Sequence, residues 1–292
     1  HANEIVIKNP AGGTIYDARI SPDGQHVAYV RDRSLYMCDL QGVERCLASE
    51  ESPDVTWGIA EFVAAEEMNR QRGFWWAPDS SALAVERADH SPIQSISIAD
   101  PAKPTSNPSS RRYPFAGTAN ALVSLHLVAI NGNRTAVTWD SLAFEYLTSV
   151  QWNMHGLVIS VMSRDQRILD IRAVDISSGQ TNSLHTEHDE CWVELVVGGP
   201  SLLEKDLLMW CGERNGVRAI VVNNDVITPS HLQVRSIVRA SHDNIIFSAN
   251  NVQRPQELHV FSVQISGGEV TQLSDGIGMH SATVGGETTV LR

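Results

Sequence analysis

Apolar and polar residues alternate along most of this chain in short runs. Stretches such as Val27-Ala28-Tyr29-Val30 and Leu83-Ala84-Val85 end at turn residues, as half-buried β-strands do. One arrangement returns: an alternating strand, a Gly or Asn turn, polar residues, then a Leu. It runs from Leu35 to Leu47, from Ile171 to Leu184 and from Leu258 to Leu273, with a weaker copy from Ala219 to Val226. Ahead of two copies stand Ser21-Pro22-Asp23-Gly24 and Ala77-Pro78-Asp79-Ser80. These are hairpin turns with a mechanism, since Pro sets φ at the first corner and Gly accepts positive φ. Short strands grouped in units of roughly 45 to 55 residues predict four-stranded blades of a β-propeller. About six units are expected, beginning near Tyr16, Phe74, Leu122, Thr148, Cys191 and Gln233.

One segment breaks the pattern. Gly58 to Arg70 holds good helix formers without strand alternation, which predicts a helix inserted in an otherwise all-β chain. On a 3.6-residue period Ile59, Phe62 and Val63 share a face, and Glu66 and Glu67 continue the same stripe. The two carboxylates are thus expected to point with the anchored face, where they repel each other and favour a cation. Two readings stay open at this level. Glu66 can pair with Arg70 at i, i+4, leaving Glu67 solvated; alternatively both glutamates receive an ammonium group, such as the free N-terminus of a peptide.

Composition narrows the function. With 42% apolar residues and seven Trp there is material for a packed core. A formal charge of -12 opposes binding to a phosphate backbone, so no nucleic-acid partner is expected. The longest apolar stretch, Leu122 to Ile130, is interrupted by His126 and falls short of the roughly 20 residues of a membrane helix. His1 to Glu4 carry no signal-peptide features, and the compartment stays open between periplasm and cytoplasm. Cys38, Cys46, Cys191 and Cys211 lack a CxxC spacing and read as free thiols, with a Cys38–Cys46 pair across a hairpin as the alternative. His185-Thr186-Glu187-His188, followed by Asp189, Glu190 and Cys191, has metal-ligand residue types without the His-Glu-x-x-His spacing, so neither metal nor cofactor is expected.

Gly58 to Asp79, including Glu66-Glu67 and Trp75-Trp76-Ala77-Pro78-Asp79, resembles the double-glutamate helix and following strand of the dipeptidyl peptidase IV family. Tyr113-Pro114-Phe115-Ala116-Gly117 with Asn120, Phe144-Glu145-Tyr146-Leu147, Ser163-Arg164-Asp165-Gln166 and Glu213-Arg214-Asn215-Gly216 are similar to other motifs of that family. The resemblance implies an eight-bladed propeller that gates an α/β-hydrolase domain. It also implies that Glu66 and Glu67 bind the protonated N-terminus of a peptide, so that dipeptides are released. Trp192 would line the cavity near the second residue, or else be an ordinary buried blade Trp. Residues 1–292 are read as one propeller domain, incomplete at its N-terminus, and no Gly-x-Ser-x-Gly elbow is present. Catalysis would therefore need a hydrolase domain of the same parent protein. Ser91 to Arg112 stands where the family extends a dimerisation arm, but its Pro- and Ser-rich sequence fits a surface loop equally well. The competing function is a non-catalytic propeller that serves as a protein-interaction scaffold.

Overall fold

The computed structural model describes residues 12–204 and 206–292; His1 to Glu4 lie outside the described residues. The chain divides into two compact units, His1–Leu147 with Asp175–Gln180, and Thr148–Val174 with Thr181–Arg292. The first unit begins with an antiparallel meander of β1 (Ile15–Ile20), β2 (His26–Arg31), β3 (Ser34–Asp39) and β4 (Glu44–Ala48). A second sheet follows from β5 (Val55–Trp57), β6 (Phe74–Trp76) and β7 (Ala82–Asp89). After the separate hairpin β8 (Ser95–Ile98) and β9 (Ser109–Arg112), β10 (Leu122–Ala129) and β11 (Arg134–Val137) complete it.

The second sheet is also a four-stranded meander, because β5 and β6 are two pieces of one outer strand. Val55 to Trp57 pair with Asp89 to Arg87, and Phe74 to Trp76 pair with Val85 to Leu83. Between them the chain leaves the sheet opposite Glu86 and comes back. The segments expected to start separate units at Phe74 and Leu122 therefore lie in one sheet. Among the described residues the expected six units resolve into five such sheets and a terminal hairpin.

The other sheets are β12 (Tyr146–Asn153), β13 (Gly156–Met162), β14 (Ile168–Val174) and β15 (Thr181–His188); β16 (Ser201–Glu204), β17 (Leu207–Arg214), β18 (Val217–Val222) and β19 (Asp225–Val226); and β20 (Leu232–Ala240), β21 (Asn244–Asn251), β22 (Arg254–Gln264) and β23 (Thr271–Gln272). Among the described residues, β24 (Ala282–Gly285) pairs only with β25 (Thr288–Leu291). Strands that neighbour one another in sequence order within each sheet are the blade topology of a β-propeller.

The turns behave as their residues dictate. Gly24, at φ +71, closes the first on the Ser21 carbonyl at 2.8 Å. Ser80 takes the same left-handed position at φ 62, where a side chain costs energy. Its buried hydroxyl accepts the Asp23 amide at 3.0 Å, joining the two turns. Ser163-Arg164-Asp165-Gln166 is a third copy, with Gln166 at φ 61 and Ser163 Oγ donating to Asp165 at 2.6 Å.

Each unit has its own apolar core. Val30, Leu35, Leu47, Trp57, Phe74 and Val85 pack together in the first, and Met209, Ile220, Val234, Phe247 and Phe261 in the second. The segment from Ser91 to Arg112, which is poor in apolar alternation, nevertheless pairs as β8–β9 from Ser95↔Arg112 to Ile98↔Ser109. Most of its residues are exposed, so no buried face exists to impose the alternation.

All four cysteines are free, and Cys46 stands opposite Tyr36 rather than Cys38. Burial pushes the Cys211 thiol up to about 12 and raises Cys38 as well. In native protein at pH 8, a thiol reagent is expected to modify exposed Cys46 and Cys191 while Cys38 and Cys211 react only on unfolding. Mass spectrometry of labelled peptides checks this, and rapid native labelling of Cys211 would contradict the packing of β17.

Candidate functional site

The excursion opposite Glu86 carries the only helix among the described residues, α1 (Phe62–Glu67). Two glycines form its neck. The Gly58 amide donates to the Glu86 carbonyl and the Glu86 amide to the Gly73 carbonyl, both at 2.8 Å. A Cβ on Gly73 would lie 2.3 Å from the Gly58 carbonyl carbon, so no other residue fits there.

The helix is shorter than the expected Gly58 to Arg70. Glu61 caps its start, accepting from the amides of Ala64 at 2.6 Å and Val63 at 2.7 Å. Asn69, at φ 53, ends it in the left-handed conformation that Asn tolerates.

Its anchored face also differs from the expected one. Glu61, Ala64 and Met68 are buried, while Phe62, Glu66 and Glu67 are exposed. The helix is held through a polar cluster, and Ala64 allows close approach, so apolar periodicity assigns the wrong side. Arg70 does not pair with Glu66. It is buried and forms a very short ion pair with fully buried Glu86. It also donates to the carbonyls of Arg72 at 2.7 Å and Leu147 at 3.1 Å. Glu86 Oε1 accepts the Glu61 amide at 2.9 Å. Burial pushes both Glu61 and Glu86 above the ordinary carboxylate range, and the charge of Arg70 opposes it.

Glu66 and Glu67 thus stand side by side, exposed, at the end of a rigidly held helix with no basic residue in its last turn. Neither has an ion-pair partner among the described residues. Beside them lies an aromatic row: Phe62 packs edge-on against Tyr113 at 5.3 Å, and Tyr113 against Phe115 at 4.9 Å. Asn120, of the same motif as Tyr113, donates to Glu145 at 3.0 Å and to the Tyr146 hydroxyl at 3.1 Å. Those residues therefore brace one another.

Trp192 belongs to the other unit. It is not a buried blade Trp: its indole is 59% exposed and donates to Glu194 at 3.3 Å. The preceding acidic and His residues are engaged locally. Glu187 accepts from Arg214 at 2.6 Å and contacts His185 at 2.9 Å, and Asp189 caps the amides of Cys191 and Trp192. Ser274, His259 and Glu257 line up as Oγ to Nδ1 at 3.0 Å and Nε2 to carboxylate at 3.5 Å. That Ser is 2% exposed and already accepts the Val260 amide, so it is not a nucleophile within reach of a substrate carbonyl.

Glu61, Glu86 and Arg70 were not found by sequence reasoning as one unit. The available signal is Glu86 itself, an acid that directly follows the apolar run Leu83-Ala84-Val85 within a strand.

A family model described as "Dipeptidyl peptidase IV (DPP IV) N-terminal region" matches residues 2–290. The chain belongs to this family. A Schizosaccharomyces pombe protein that carries the name dipeptidyl aminopeptidase is 25% identical over 232 residues, 73% of this chain and 29% of that protein. Dipeptidyl peptidase 8 of Homo sapiens is 27% identical over 132 residues, 39% of this chain and 15% of that one. The crystal structure of Porphyromonas gingivalis dipeptidyl peptidase 4 shares the fold, with a TM-score of 0.76 at 20% identity over 93% of this chain and 40% of that chain. The chain thus spans less than half the length of each of these relatives, and corresponds to the N-terminal region of the family.

Removing one member of the buried pair leaves an uncompensated charge. Glu86→Gln is expected to lower the unfolding free energy by about 3–5 kcal/mol, and the double variant Arg70→Met/Glu86→Leu to recover much of that loss. Urea unfolding measures both, with Glu66→Gln as a surface control expected within about 0.5 kcal/mol of wild type.

Proposed function

We propose that Glu66 and Glu67 receive the protonated amino terminus of a peptide and hold it in register for a serine hydrolase domain of the parent protein, which then releases dipeptides. The observation that carries this reading is the pair of adjacent exposed carboxylates on α1, lacking an internal cation although Arg70 is only a few residues away. Like charges side by side repel, and a cation that donates to both relieves the repulsion. A primary ammonium offers three donors and forms charge-assisted hydrogen bonds with carboxylates.

Rigidity gives the anchor its use. A helix fixed through a buried ion pair holds the bound amine at one place, so the distance from that point selects the bond presented for cleavage. The names of the family relatives, dipeptidyl peptidases and aminopeptidases, support an N-terminal cut of this kind.

Calorimetric titration with a dipeptide amide, free or acetylated at its N-terminus, tests the reading. Only the free amine is expected to bind, and Glu66→Gln or Glu67→Gln is expected to weaken it about tenfold or more, the loss of one hydrogen bond between charged groups. Binding should also fall as pH rises past about 8, where the peptide amine loses its proton. Equal behaviour of both ligands with wild type and variants would instead favour an interaction scaffold.

A further inference from the structure

A second charged cluster of the first unit has no part in that anchor. Arg72 leaves the α1 excursion just after Arg70, with its guanidinium 5.9 Å from the Trp75 ring centroid. Unlike Arg70, it has no ion pair with a carboxylate among the described residues. The charged groups around it are Arg19 and Asp17 of β1. These two pair with each other at 2.7 Å, in a strand whose register shifts between Tyr16 and Arg19 and where Asp17 is at φ 50. Trp76 ties the strand down by donating to the Arg19 carbonyl at 3.2 Å.

Among the described residues two arginines thus lie in the field of one aspartate, which is paired with Arg19, leaving one positive charge over. The Nε atoms of both Arg19 and Arg72 are buried without a hydrogen-bond partner, as is Asp17 Oδ2. Burial, followed by the charge of Arg19, lowers the pKa of Arg72 to about 10. Buried donors without partners are costly, and the Nε edge of a guanidinium is one that a carboxylate can take in a bidentate bond.

We propose that Arg72 and Arg19 form a binding site for a carboxylate, separate from the double-glutamate anchor. The single excess charge matches a monoanion, and Asp17 repels a phosphate dianion.

The test uses ligands blocked at the N-terminus, so the anchor is not engaged. The full chain is titrated at low salt with an N-acetyl dipeptide acid, its amide, and inorganic phosphate, following the Arg Nε–H signals by NMR. The acid is expected to shift the Arg19 and Arg72 signals and the amide to leave them in place. Arg72→Met and Arg72→Gln are each expected to weaken the acid at least tenfold, while their urea midpoints without ligand equal or exceed that of wild type. Equal responses to acid and amide, or binding retained in both variants, would overturn the site. Variants less stable than wild type, in a protein blind to the acid, would make Arg72 merely structural. Phosphate outcompeting the acid would overturn the assignment to a carboxylate.

Discussion

The pairing of Arg70 with Glu86 sustains everything the candidate site does. A helix of six residues has no stability of its own in water, so α1 exists because something else fixes both its ends. Glu86 reaches it from the middle of β7, taking the Glu61 amide on one oxygen and Arg70 on the other. Glu61 then caps the helix, and Arg70 reaches on to the Leu147 carbonyl. A buried ion pair is weak evidence for net stability. Its contribution here is geometric, because one charged residue in a sheet sets the position of a helix that lies outside it.

The same arrangement explains the division of labour among four nearby acids. Glu61 and Glu86 are desolvated and turned inward, where Arg70 and amide donors hold them. Glu66 and Glu67 are left outside with no ion-pair partner among the described residues. Had Arg70 folded back onto Glu66, the helix would carry a self-satisfied surface pair of little use for recognition. By drawing the arginine inward, the sheet leaves the outer pair without that cation.

Much of this was legible in the sequence. The strand rhythm, the Pro-Asp turns and the acidic helix all stand close to where they were expected, and the family motifs named the fold. What escaped notice depends on polar burial. The face of α1 was misassigned because Phe62 and Val63 outweigh Glu61 on any apolar scale, although Glu61 is the one that packs. The sheet count slipped because β5 and β6 are separated by 16 residues yet continue one another along β7, a relation visible only once pairing is known. Trp192 reads from the sequence as either a cavity-lining residue or an ordinary buried blade Trp; it is exposed, because a large ring at a blade connection has no need to be inside.

The neck formed by Gly58 and Gly73 has a consequence for how such a molecule can change over time. Strand pairing resumes after the excursion with one residue position, opposite Glu86, between Trp57 and Phe74, so a blade lacking residues 59–73, with Gly58 left opposite Glu86, would still present one continuous outer strand to β7. The helix-bearing excursion is in this sense a graft: it could be gained, lengthened or lost by insertion and deletion while the propeller around it stayed the same.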